Sequence, residues 1–325
     1  MKTNVECIVL VLAAIIDYII GDPIGYLHPV QVMGWTISNL SQFAIATCSQ
    51  KWQRRWGGIV IALGVILGTG IIGWSLVKIA ENISPLLGIG LQSILLASCF
   101  AGKSLRKAAQ EVILPLSDRK LDLARTKLGQ YVGRDTDNLS EQEILRAVLE
   151  TVTENATDGV TSPLFYGIIG GFFPVIGSVP LALGYKAAST LDSMIGYQKE
   201  PFIDLGWFSA KFEDFLTWIP CRLTVLTLAL ISRKPGSVLA ICLRDAPQDP
   251  SPNSGWSECV YAAILGVQLG GTNTYQGQIK SKPLLGNGTQ LITPEIIEQA
   301  LQLTRICCLL WLCLAIMGLR IITVF

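Results

Sequence analysis

Between residues 143 and 158 the sequence places Glu143, Arg146, Glu150, Glu154 and Asp158 at intervals of three and four. At 100° per residue these side chains fall within an arc of about 120° on one helix face. Ile144, Leu145, Val148, Leu149 and Val152 cover the opposite side. Ser140, followed three residues later by Glu143, is a capping-box start for that helix. A charged stripe on an amphipathic helix is ordinarily just a solvated face. This one runs straight into an apolar stretch at Gly159 and ends in Asn155 and Asp158, both poor helix formers. Carboxylates at such a boundary are a seat for Mg²⁺ and phosphate, and Glu150, Glu154 and Asp158 are the metal ligands this reading selects.

Other polar clusters interrupt apolar sequence in the same way. Asp17 and Asp22 bracket the end of the first helix, ahead of His28-Pro29. Lys186, Thr190, Ser193 and Tyr197 share a helical face, with Asp192 beside them. Lys211, Glu213, Asp214 and Arg222 follow, and Arg244-Asp245 precede the turn-rich Ser251-Pro-Asn253-Ser-Gly255. Charges near a membrane are costly, so each is a functional candidate, weighed against topological anchors and structural ion pairs. One motif misleads. Residues 97–104, ending Gly102-Lys103-Ser104, fit a relaxed P-loop pattern. No glycine occupies the four variable positions, and a membrane helix precedes them where a P-loop needs a strand. Lys103 is therefore read as a cytoplasmic anchor.

The elements that must position these groups are membrane helices. Of 325 residues, 50% are hydrophobic and 15% charged, and mean hydropathy is +0.48. An ordinary soluble domain is about a quarter charged. The composition excludes disorder, and a net charge of +1 gives no basis for nucleic-acid binding. The nine cysteines form no CxxC or CxxxC pair, and the single histidine argues against a zinc site. Four spans are expected, at Cys7–Ile16, Trp56–Val77, Asn82–Gly102 and Ile306–Leu319. The 27 uncharged residues Gly159–Tyr185 are broken by glycines and prolines and read as a re-entrant hairpin. Leu223–Ser232 and Gly236–Leu243, hinged at Arg233-Lys234-Pro235, read as a shallow hairpin. Residues 102–160 hold 19 of the 49 charged side chains, and Lys51, Arg54, Arg55, Lys103, Arg106 and Lys107 flank the second and third spans. The positive-inside rule places both flanks in the cytoplasm. The expected fold is all-α: one polytopic membrane domain over 1–325 with a helical cytoplasmic insertion at about 103–160.

The ordered polar segments resemble the cobinamide-phosphate synthase family of cobalamin biosynthesis, the CobD/CbiB membrane proteins. The matching pieces are Asp17 with Gly21-Asp22-Pro23, His28-Pro-Val with Met33-Gly34, Val132-Gly-Arg134-Asp135-Thr136, and Glu150 through Gly159 with Pro163-Leu-Phe-Tyr166. Tyr185-Lys186, Thr190-Leu-Asp192-Ser193-Met, Ile219-Pro220 with Arg222, Ser251-Pro-Asn253 with Gly255, and Leu269-Gly-Gly271 complete the set. Departures are Ser189 where the family has Asn, Lys211-Phe-Glu-Asp214 for Arg-Leu-Asp-Asp, and no histidine just before Ser251.

The resemblance implies an ATP-dependent ligase that joins adenosylcobyric acid, a corrinoid, to aminopropanol or its phosphate. A carboxylate is a poor electrophile, so ATP is expected to convert it to an acyl phosphate that the amine attacks. That chemistry needs carboxylates for Mg²⁺, cations for phosphates and a base for the ammonium proton. Asp158, Lys186, Asp192 and Asp214 are the catalytic candidates. Asp17, Asp22, His28, Arg134, Asp135, Asn155, Ser193, Arg222, Arg244, Ser251 and Asn253 are the substrate and ATP candidates. The implied setting is the inner cell membrane, with lipid around the spans, active-site loops in the cytoplasm and other membrane enzymes of the pathway as partners. Two rivals are weighed. A Mg²⁺-dependent transferase acting on lipid diphosphates would carry a DDxxD motif, and none occurs. A small-solute transporter would place ionisable groups at mid-bilayer in broken helices, and the two clearest spans carry none.

Overall fold

The computed structural model describes residues 2–21 and 28–324, so the expectation for Asp22 falls outside the described residues. The protein is 76% helical with one two-stranded sheet, an all-α polytopic chain as its composition requires. In chain order the helices are α1 (Lys2–Ile19), α2 (Pro29–Thr47), α3 (Lys51–Ile83), α4 (Pro85–Ala97), α5 (Gly102–Ser117), α6 (Leu121–Leu128) and α7 (Glu141–Ala156). A π-helical turn at Thr157–Thr161 leads to α8 (Ser162–Gly171), α9 (Ser178–Ile195), α10 (Phe202–Leu205), α11 (Trp207–Ile231) and α12 (Pro235–Asp245). After α13 (Ser254–Leu265), strands β1 (Leu269–Tyr275) and β2 (Gln278–Leu285) precede α14 (Pro294–Val324).

Four helical stretches among the described residues are long and apolar enough to cross a membrane: α3, Pro85–Ser117, α11 and Pro294–Ile321. Only 22% of the most apolar window of α3 is buried inside the protein, and Leu67, Ile71 and Ile72 are exposed. Apolar surface on that scale needs lipid. Two expectations change. Helix α1 is not among the four, because its eighteen residues include Lys2, Glu6 and Asp17. Leu223–Ser232 is no shallow hairpin arm but belongs to the 25-residue α11, which begins sixteen residues earlier and carries Pro220 inside it.

The chain divides into two compact units. The first comprises residues 1–103, 162–217 and 310–325, and the second 104–161 and 218–309. No linker marks the division, because its boundaries fall inside α5, α11 and α14 and at the end of the π-turn.

In the first unit α3 packs on α4 and α9, and α1 on α4 and α8. Helices α8 and α9 form the hairpin expected for 159–185 and lie against each other. Gly177 turns that hairpin at φ +85°, and a Cβ on Gly170 would stand 2.2 Å from its carbonyl oxygen. Only glycine allows so close an approach.

The second unit packs α7 against α6, α13 and β1, and α13 against α12 and β2. Ile144, Leu145, Val148, Leu149 and Val152 of α7 are buried, as their stripe requires. The sequence reading did not anticipate the β-hairpin. It turns at Gln276-Gly277, both with positive φ, the conformation of a type I′ turn. Its register shifts between Leu269 and Gly271, where two steps of β1 past Gly270 (φ +83°) face three of β2, so β2 carries the extra residue of a bulge.

Candidate functional site

Helix α7 starts as its capping box dictates: the Ser140 hydroxyl accepts from the Glu143 amide, and Glu143 accepts from the Ser140 amide at 2.7 Å. The Ser140 hydrogen bonds hold the Glu143 carboxyl below the ordinary glutamate range. The hairpin then covers the acidic face that the sequence left to solvent. Glu150 is 1% exposed. One of its oxygens pairs with Arg134, and the other accepts from Arg146 at 3.2 Å and from the Gly270 amide at 2.9 Å. Both arginines also donate to Asn273 Oδ1, and Arg146 reaches the carbonyls of Gly270 and Thr272. Asp135 takes the Gln276 and Gly277 amides at 2.9 and 2.8 Å, clamping the hairpin tip. Arg134, Asp135 and Glu150 therefore hold the hairpin on α7. Two guanidinium groups and a peptide N–H already occupy the Glu150 carboxylate that was expected to hold metal.

Further along α7 the charge balance reverses. Glu258 on α13 is fully buried; its Oε1 lies 3.5 Å from Lys282 Nζ, and its Oε2 has no hydrogen-bond partner among the described residues. Burial pushes the Glu258 carboxyl up to about 8; Lys282 opposes the shift, while Glu154, Glu150 and Asp249 add to it. Glu154, on α7, is raised by burial as well, again against Lys282. Lys282 itself loses to burial but is held above the ordinary lysine range by Glu258, Glu154, Glu150 and Asp249. Glu154 and Asp249 are half-buried and the Lys282 side chain is 33% exposed, while Glu258 is fully buried.

The Ser251–Gly255 loop borders this group. Asp249 Oδ1 accepts from the Ser251 amide and the Ser254 hydroxyl, and Ser251 Oγ accepts from the Asn253 and Ser254 amides. Asn253 Oδ1 accepts from Arg222 at 3.0 Å. The Arg222 guanidinium lies over the Trp218 and Trp256 rings, 5.0 and 4.8 Å from their centroids, a cation–π sandwich. Arg244 forms a two-point pair with Asp245 and also donates to Asn287. Asp245 in turn accepts from the Gly286 amide, so this pair fastens the end of β2. Asn155 is exposed and back-bonds to Thr151, and Asp158 is half-buried on the π-turn.

The first unit holds the remaining candidates. Lys103 Nζ donates to the carbonyls of Ile19 and Ile20 at 2.6 and 2.9 Å, closing the C-terminus of α1, and its amide faces Asp17 at 3.5 Å. That is a helix cap. His28 caps α2 through Nδ1. Ser193 back-bonds to Ser189, and Lys186 and Asp192 lie on the same helix, α9. Asp214 pairs with Lys211 at 3.8 Å. Tyr185 joins Glu213 and Thr217 in a buried network, with Tyr166 stacked on its ring.

The structure thus sorts the sequence candidates. Arg222 of α11 meets Ser251 and Asn253 of the 251–255 loop, with Glu154 in the adjoining charged group. Arg134, Asp135, Glu150 and Arg244 serve the hairpin. The reading missed Asp249, Glu258, Asn273 and Lys282. Glu258 had a signal: it is the lone charge in the otherwise apolar 254–265 stretch.

The family model described as CobD/Cbib protein matches residues 10–304. The chain is 56% identical over 293 residues to the cobalamin biosynthesis protein CobD of Synechocystis, covering 90% of this chain and 86% of that protein. It is 43% identical over 299 residues to the CobD of Halalkalibacterium halodurans, 90% of each chain. With the cobalamin biosynthesis protein CbiB of Salmonella typhimurium it shares 38% identity over 309 residues, 94% of this chain and 95% of that one. No solved structure matches.

Proposed function

Since the chain belongs to the CobD/CbiB family, we propose that it is the ligase of cobalamin biosynthesis that joins a corrin carboxylate to an amino alcohol at the expense of ATP. The acid is adenosylcobyric acid, and the amine is aminopropanol or its phosphate. The observation that carries this reading is the arrangement in the second unit, where Lys282 stands among three carboxylates beside a loop bearing Ser251 and Asn253, to which Arg222 of α11 donates. In the first step a carboxylate oxygen attacks the γ-phosphorus of ATP and ADP leaves. In the second, the amine nitrogen attacks the acyl carbon, phosphate leaves, and the ammonium proton passes to a base. Cations near the phosphates stabilise the charge that develops in both steps.

Mg²⁺ enters with ATP as part of that substrate. No group of three or more acidic, histidine or cysteine side chains able to hold a metal exists among the described residues. A nucleotide-borne Mg²⁺ needs fewer, because phosphate oxygens supply most of its ligands and one or two carboxylates suffice. We assign that carboxylate to Asp158, half-buried on the π-turn that follows α7. The protein sits in the cell membrane with these segments on the cytoplasmic side, where ATP is available.

The test is reconstitution. Purified protein in lipid, given adenosylcobyric acid, ATP–Mg²⁺ and each amine in turn, yields a product heavier by the amine less one water. No product with either amine refutes the proposal.

A further inference from the structure

The group at Glu258 has more acid than its lysine can balance. Glu154, Asp249 and Glu258 stand within electrostatic reach of Lys282, and Glu150 is already spoken for by Arg134 and Arg146. A buried carboxylate normally has every oxygen satisfied, since an unmade hydrogen bond to a charged group is expensive. Glu258 Oε2 breaks that rule at 0% exposure, so the folded protein holds an acceptor that lacks its donor. The donor that suits it is cationic, because burial disfavours the ionised Glu258 and Glu154 and Asp249 add negative charge, and it offers more than one N–H. A primary ammonium meets both requirements. It carries one positive charge and three N–H donors, enough to reach Glu258 Oε2 and a rim carboxylate together.

We propose that Glu258, with Glu154 and Asp249 at the rim, binds the ammonium group of the amine substrate and that Glu258 accepts its proton as the nitrogen becomes a nucleophile. This rests on the ligase reading above and adds the residue that handles the amine. Two N–H bonds break: the first proton moves to Glu258 Oε2 and frees the electron pair that forms the C–N bond, and the second leaves the nitrogen as the acyl C–O bond breaks and departs with the phosphate. The elevated pKa of Glu258 suits the role, because a base works best when its pKa lies near the operating pH. Lys282 keeps part of the cluster's charge neutral before the amine arrives.

The experiment has two arms on the full-length protein in detergent. In the first, 1-amino-2-propanol is titrated calorimetrically into the parent, Glu258→Gln and Glu154→Gln, with propane-1,2-diol and MgCl₂ as parallel ligands. The expected result is binding of the amine but not the diol, weakened about 10-fold or more by Glu258→Gln and about 3-fold by Glu154→Gln. In the second, steady-state turnover is measured, and Glu258→Gln raises the KM for the amine while the KM for ATP stays within about twofold. Equal amine affinity in the parent and both variants overturns the proposal, whether or not any variant turns over. So does binding of Mg²⁺ that depends on Glu258 when amine binding does not. If the parent binds the amine through Glu258 yet forms no amide, the ammonium site stands and the ligase reading falls. If amide forms with an unchanged amine KM in Glu258→Gln, the reverse holds. Glu154→Gln alters a half-buried rim residue, so it keeps the test open should Glu258→Gln fail to fold.

Discussion

Replacing Glu150 by glutamine separates a structural clamp from a ligand-binding carboxylate. The side chain keeps its size but loses the charge that faces Arg134 and Arg146, whose own side chains are 7% and 15% exposed. Removing one partner of a buried ion pair costs about 3–5 kcal/mol, because the remaining charge is left uncompensated. Glutamine retains one carbonyl oxygen for either an arginine or the Gly270 amide, which places the expected cost near the lower end, about 3 kcal/mol. The loss falls on the docking of the 269–285 hairpin against α7, since all three contacts of Glu150 lead there. At 1.4 kcal/mol per tenfold, amides of that hairpin exchange with solvent roughly 100-fold faster or more. Hydrogen exchange read by mass spectrometry on peptides covering 269–285 measures this directly. Peptides of α3 serve as the unaffected reference. Unchanged hairpin protection in Glu150→Gln, coupled with lost turnover, would refute the clamp and return Glu150 to the metal-ligand role.

Three further outcomes follow from the same geometry. Glu258 binds its proton more tightly folded than unfolded, about 8 against the ordinary 4.5, so the folded state holds more protons between those values and stability falls as pH rises from 4.5 to 8. Melting temperatures measured across that window should decline in the parent and flatten in Glu258→Gln, with Lys282, Glu154, Glu150 and Asp249 left in place; equal slopes contradict the assignment. Lys103→Ala should leave turnover within a few-fold of the parent while costing about 1 kcal/mol or less at the α1 terminus, and a 1,000-fold loss of turnover would make it a phosphate-binding lysine after all. Asp158→Asn should abolish amide formation without altering hairpin exchange, whereas Glu143→Gln should keep turnover and lose only its cap, about 1 kcal/mol; near-parent activity of Asp158→Asn would remove it from the nucleotide site.

Local signals in this chain were legible, and long-range pairings were not. The Ser140–Glu143 box and the apolar stripe of α7 depend on residues three or four apart, so the sequence states them outright. The partners of that helix's acidic face lie far away: Gly270 is 120 residues beyond Glu150. Nothing in a spacing of three and four distinguishes a carboxylate that will meet two arginines from one that will meet a lysine. The hairpin escaped notice because β1 reads Leu-Gly-Gly-Thr-Asn-Thr-Tyr, with no period-two apolar pattern, and β2 carries an extra residue opposite Gly270. Helix α11 was cut short because Lys211, Glu213, Asp214, Pro220 and Arg222 interrupt its apolar run. Pro220 nevertheless sits inside that helix, and Arg222 is neutralised in effect by its two tryptophans and Asn253. The Ser251–Gly255 loop was found from its turn residues, but its neighbours Asp249 and Glu258 were visible only as a pre-turn aspartate and a lone acid in an apolar helix.

The central claim is that ATP activates the corrin carboxylate for attack by an amine, and isotope transfer tests it most directly. Adenosylcobyric acid labelled with ¹⁸O in its free carboxylate is incubated with the reconstituted protein, ATP–Mg²⁺ and the amine. An acyl-phosphate route leaves one labelled oxygen in the released inorganic phosphate for each amide formed, with ADP as the nucleotide product. Amide formed with unlabelled phosphate, or with AMP in place of ADP, would contradict it.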